Sequence, residues 1–147
     1  MTVGPLPQPG SVVRYAYLWA DQHATGADEG RKDRPAVVLA VSVKAGGSEV
    51  QVLVLAVTHA APANASDAVL FPRQEKRRLG LDDTPSWIVT TEGNAFVWPG
   101  PDVRPVPGRQ PTTMIYGDVS RTLLQRVAKG YLQNREVQRA RLVARTT

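Results

Sequence analysis

Asp28-Glu29-Gly30-Arg31-Lys32-Asp33-Arg34-Pro35 runs directly into Ala36-Val37-Val38-Leu39-Ala40-Val41, and this junction of a charged loop with an apolar run decides the fold. The apolar half is rich in β-branched residues and continues to Val43. A second such run, Glu49 to Thr58, follows after Lys44-Ala45-Gly46-Gly47-Ser48, a plausible hairpin connection. Near-continuous hydrophobicity in both runs means strands buried on both faces, as in a small barrel or at an oligomer interface. Pro35 disfavours the helical region for Arg34, so the arginine is extended at the mouth of its strand. A guanidinium held there suits a phosphate, because its planar fork of donors matches oxyanion geometry and stays charged.

Outward from this pair, residues 1–8 read as a flexible tail, 9–133 as one folded domain, and 134–147 as a basic helical extension or tail. Ser11 to Trp19 is a first strand, and Ala20 to Asp33 is a long polar loop of the kind that carries function. Ala68 to Phe71 is a short strand stopped by Pro72, and the basic stretch after it is a surface turn or a short helix. Ser86–Thr91 and Ala95–Trp98 are expected to pair around Glu92-Gly93-Asn94. Pro99 to Pro111 cannot be a central strand, but can hold an edge segment near Asp102-Val103-Arg104. Met114–Tyr116 is a last short strand. Asp118 or Ser120 can cap a late helix whose stripe is Leu123, Leu124, Val127 and Tyr131. Val137, Ala140, Val143 and Ala144 continue that helical face or belong to a frayed tail. The sum is a mainly β chain, a small β-barrel or curled sheet closed by a C-terminal α-helix.

Composition narrows the function. The 147 residues suffice for one core, and the absence of cysteine excludes disulfides and thiolate metal sites. Two histidines, His23 and His59, make a histidine metal cage an unattractive reading, and no metal or other cofactor is expected. The longest apolar run is shorter than the roughly 20 residues that span a bilayer, and Thr2 to Gly10 lacks a positive leader. A cytoplasmic protein without a membrane partner is the expectation. The net charge of +5 fits either a merely soluble basic protein or a polyanion partner. Arg73, Lys76, Arg77 and Arg78 form one basic cluster, and Arg135, Arg139, Arg141 and Arg145 a second.

Pro9-Gly10-Ser11-Val12-Val13, the loop Glu29-x4-Arg34-Pro35-Ala36-Val37-Val38-Leu39 and the strand end Leu55-Ala56-Val57-Thr58 resemble the MazF/PemK family in order and spacing. The resemblance is good over residues 9–60, looser over 61–117, and returns at the helix of 118–132. It implies an SH3-like barrel of the PemK/CcdB type, usually a homodimer, and the toxin half of a type II toxin–antitoxin pair. Such toxins cut single-stranded mRNA without a metal, and a cognate antitoxin blocks their cleft. By resemblance the family's arginine falls on Arg34, its strand-end threonine on Thr58 and its loop glutamate on Glu29. Some members carry a histidine where this chain has Asp28, so a proton transfer by that histidine does not carry over. Asp102 and Arg104 align with later acidic and basic elements of the family.

The chemistry implied is attack by the substrate's own 2′-hydroxyl, leaving a cyclic phosphate and a 5′-hydroxyl. Arg34 suits stabilisation of the added charge on phosphorus, and the Thr58 hydroxyl can donate to a nonbridging oxygen. Glu29, Asp28 or His59 can serve as general base, and the residues alone do not choose among them. Trp19, Trp98 or Tyr17 can stack on bases, although tryptophans more often anchor cores or interfaces. Asp28, His59, Trp19, Asp102 and Arg104 are the candidate RNA contacts. Two rivals stand beside the endoribonuclease: a non-enzymatic, CcdB-like gyrase-binding toxin, and an SH3-like module that grips nucleic acid or peptide without chemistry.

Overall fold

The computed structural model describes residues 6–20, 33–43, 46–137 and 141–144. The two apolar runs form β2 (Arg34–Val43) and β3 (Val50–Thr58), an antiparallel pair in register from Ala36↔Ala56 to Val38↔Val54, with a bulge before Ala40. On the other side of β2 lies β1 (Ser11–Tyr15), paired Val12↔Val37 and Tyr15↔Arg34. Both faces of this three-strand centre are buried, as their unbroken hydrophobicity demands. Val12, Val37, Leu55 and Val57 face one core, and Val13, Tyr15, Val38, Val54 and Ala56 face the other.

The remaining strands are short and branch from the edges. Along β3, the near half takes β6 (Glu92–Val97), and Val57–Thr58 takes β5 (Trp87–Val89), which in turn pairs with β4 (Ala68–Leu70). Along β1, Ser11–Val13 takes β8 (Ile115–Asp118), and Arg14–Tyr15 takes the two-residue β7 (Val103–Arg104). The chain is therefore mainly β. Among the described residues its ladders do not close into a ring, so the expected barrel is an open sheet split at both edges. Proline supplies a physical reason: Pro72 and Pro105 follow β4 and β7 closely, and a residue without an N–H cannot extend a ladder.

Two helices cover the first core. Helix α1 (Arg73–Leu79) resolves the basic stretch as a helix, and Gly80 ends it at a φ of 76°, in the left-handed region that favours glycine. Helix α2 (Arg121–Glu136) is capped by Ser120, whose Oγ accepts from the Leu123 amide at 3.1 Å. Its Leu123, Val127 and Tyr131 enter the core as the spacing predicts. Glu75 of α1 accepts from the Ser120 amide at 2.7 Å and its hydroxyl at 2.8 Å, tying the helices together.

Three expectations are corrected. Glu92-Gly93-Asn94 is no turn. β5 and β6 do not pair with each other but lie along the same edge of β3, and a Cβ on Gly93 would meet Leu53 Cδ1 at 2.8 Å. The first strand stops at Tyr15 because side chains take over its ladder. Asn94 Oδ1 accepts from the Leu18 amide at 2.9 Å, Asn94 Nδ2 donates to the Leu18 carbonyl at 2.8 Å, and Glu92 accepts from the Ala20 amide at 2.8 Å. Finally, the helical face does not run on to residue 144. Arg141–Ala144 is a strand, β9, parallel to β6, with Val143 packed among Leu18 and Ala20. The open edge of β6 supplied a better home for that segment than its own helical spacing.

Asn94 is fully buried, so Asn94→Ala leaves the Leu18 amide and carbonyl without their side-chain partner. Each stranded group costs roughly 1–3 kcal/mol. Urea denaturation should therefore show a drop of at least about 2 kcal/mol, on the low side of two such penalties; a change within error would remove Asn94 as the pin of this segment.

Candidate functional site

The two central strands end together at a cleft of about 550 Å³, lined by Trp19, Asp33, Arg34, Thr58, His59, Lys76, Asp82, Ser86 and Tyr116 among others. Arg34 opens β2 and Thr58 closes β3. The paired register ends at Ala36↔Ala56, and Arg34 and Thr58 lie two residues beyond it on their strands, both lining the cleft. Thr58 Oγ1 accepts from the Ala60 amide at 3.2 Å, which leaves its own proton free to donate into the cleft.

Arg34 is held without being neutralised. Its guanidinium carbon lies 5.1 Å from the Trp19 ring centroid, a cation–π contact, and Trp19 meets Tyr17 edge-on at 4.9 Å. Its Nε is buried with no hydrogen-bond partner. The neighbouring Asp33 turns instead to Arg14 at 3.5 Å and Arg104 at 3.7 Å. Burial lowers the Arg34 pKa from its ordinary value, yet an arginine remains charged at neutral pH. A buried cationic donor left unpaired is costly, and native proteins keep few of them.

Across the cleft runs a chain of three side chains. His59 Nε2 lies 3.0 Å from Asp82 Oδ2, and Lys76 Nζ donates to Asp82 Oδ1 at 2.8 Å. Lys76 also donates to Ser86 Oγ at 2.7 Å and to the Thr84 carbonyl, so all three ammonium protons are used. Lys76 is only 3% exposed, while the other basic side chains of α1 face outward; the ammonium sits on the inner face with Leu79. The hydrogen bond from Lys76 holds the Asp82 carboxyl below its usual pKa, against a smaller opposing effect of burial.

Of the candidates read from the sequence, the cleft gathers Arg34, Thr58, His59 and Trp19. Arg104 flanks it through Asp33. Asp102 is buried before β7, where its carbonyl accepts from the Ala16 amide, and it does not line the cleft. Glu29 and Asp28 lie outside the described residues. Lys76, Asp82 and Ser86 were missed. A signal existed in the i, i+3 spacing of Lys76 and Leu79 and in the turn-forming Asp82-Asp83-Thr84-Pro85-Ser86.

Among the described residues no group of three histidine or carboxylate side chains could hold a metal ion, and no helix is long and apolar enough to cross a membrane. No protein-family model matches the chain, and no characterised protein matches its sequence.

The Asp82 carboxyl should titrate, by carbon-detected NMR, below the usual carboxylate range, and Lys76→Met should move its midpoint upward. Because the folded pKa is the lower one, the stability from this contact is complete above the unfolded carboxylate pKa. It is lost as pH falls through the folded value. An unmoved midpoint in Lys76→Met would show that the ammonium does not hold the carboxylate.

Proposed function

We propose that this chain is a metal-independent endoribonuclease that cleaves single-stranded RNA through attack of the 2′-hydroxyl. We read it as the toxin half of a type II toxin–antitoxin pair related to the MazF/PemK proteins. One observation carries the reading: a partly buried guanidinium, with no carboxylate partner among the described residues, shares an open cleft with a strand-end hydroxyl. A phosphodiester fits that pair. Its nonbridging oxygens accept from the Arg34 fork and from Thr58, and the added charge of the pentacoordinate phosphorus strengthens both contacts in the transition state. Trp19, already stacked on Arg34, borders the same cleft and offers an aromatic face to a neighbouring base.

The sheet also supports the kinship. A twice-buried β1–β2–β3 centre with short strands branching from each edge and a C-terminal helix over one face is compatible with an SH3-like barrel of the PemK type whose ladders are incomplete. In this reading the protein works in the cytoplasm as a homodimer, and an antitoxin silences it by occupying the cleft.

The test is a long RNA incubated with the pure protein in EDTA. The wild type is expected to release discrete fragments with 5′-hydroxyl ends. Arg34→Ala is expected to be slower by at least tenfold, because one charge-stabilising donor is commonly worth about 2.7–4 kcal/mol. RNA that is bound but left intact would favour the binding module, and an equally fast variant would retire Arg34 from the chemistry.

A further inference from the structure

We infer that His59 is the proton acceptor for the 2′-hydroxyl in this cleft, through Nδ1, and that Asp82 and Lys76 are positioning residues that fix its tautomer. The inference rests on the nuclease reading and deepens it. Asp82 is kept ionised by Lys76, and an ionised carboxylate can only accept. The 3.0 Å contact therefore requires the proton on His59 Nε2. In the neutral ring this leaves Nδ1, on the side nearer the backbone, as the basic nitrogen. His59 directly follows Thr58, and both residues line the same cleft.

The anchor is rigid where it needs to be. Lys76 is buried in α1 and spends its remaining protons on Ser86 and Thr84, so Asp82 cannot swing away without depriving a buried ammonium of its counter-charge. Two neighbouring carboxylates are engaged elsewhere: Asp83 with Arg77 at 3.6 Å, and Asp33 with Arg14 and Arg104. In the reaction the 2′-oxygen gives its proton to Nδ1 and forms the bond to phosphorus. The phosphorus–O5′ bond breaks, the departing oxygen takes a proton from water, and the imidazolium later returns its proton to solvent. The sum is an isomerisation of RNA into a cyclic phosphate and a 5′-hydroxyl.

Three readouts test it on the full chain. His59 is more than half exposed, so His59→Ala should fold normally. It is expected to lower kcat on RNA by about 10²- to 10⁴-fold, the usual worth of a positioned base. Binding of a DNA oligonucleotide of the same sequence, which lacks the 2′-hydroxyl, should be unchanged within threefold, and added imidazole should restore part of the rate. The imidazole nitrogen shifts of the wild type should report the Nε2–H tautomer. Asp82→Ala should abolish that preference and reduce kcat at unchanged KM. Wild-type cleavage together with an undiminished His59→Ala rate, or a wild-type ring protonated on Nδ1, would overturn this assignment and leave the nuclease standing. A wild type that leaves RNA intact would remove both.

Discussion

The antiparallel ladder between Arg34–Val43 and Val50–Thr58 is buried on both faces, and every functional placement descends from its register. Side chains alternate along a strand, so a slip of one residue would exchange the two cores and turn either Arg34 or Thr58 away from the other. The cores forbid it. Val37 and Leu55 must meet the helices, while Val38 and Val54 must meet Phe96 and its aromatic neighbours. Register is thus a packing property, and the placement of Arg34 and Thr58 in one cleft follows from it. The bulge before Ala40 confines the irregularity to the part of the hairpin remote from the cleft.

What the sequence could disclose follows the same logic. Strands whose identity depends on their own residues were legible: the β-branched runs of β2 and β3, the Ser120 cap, and the Leu123–Val127–Tyr131 stripe. Elements whose identity depends on a distant partner were not. Arg141–Ala144 has helical spacing with what precedes it, yet it is a strand because β6 presents an open edge. Glu92-Gly93-Asn94 has turn composition, yet Gly93 is there because Leu53 and Leu55 crowd it, and Asn94 because Leu18 needs a partner. Lys76 looked like one more charge in a basic cluster. Only the fold of Asp82–Ser86 back onto α1 makes its burial tolerable.

Electrostatics sorts the cleft into spent and unspent charge. The two carboxylates among its lining residues are both saturated: Asp33 by Arg14 and Arg104, and Asp82 by Lys76 and His59. Had either turned to Arg34, the cleft would present a closed ion pair, and an incoming anion would have to break it. Because both are engaged, neither closes an ion pair over the guanidinium.

That arrangement has a cost that no carboxylate among the described residues offsets. Arg34 is partly desolvated, its Nε has no acceptor, and Trp19 supplies only a cation–π contact worth about 0.5–2 kcal/mol. A buried cationic donor without a partner costs the free protein stability instead of adding to it. A position selected for stability alone would not retain it. The penalty would become useful if an anion filled the cleft, because Nε is already buried and the guanidinium is stacked on Trp19. The ligand then meets a preorganised charge instead of a hydrated, mobile one. Partial burial of an unpaired charge, more than basicity as such, is what marks the mouth of β2 as the candidate site.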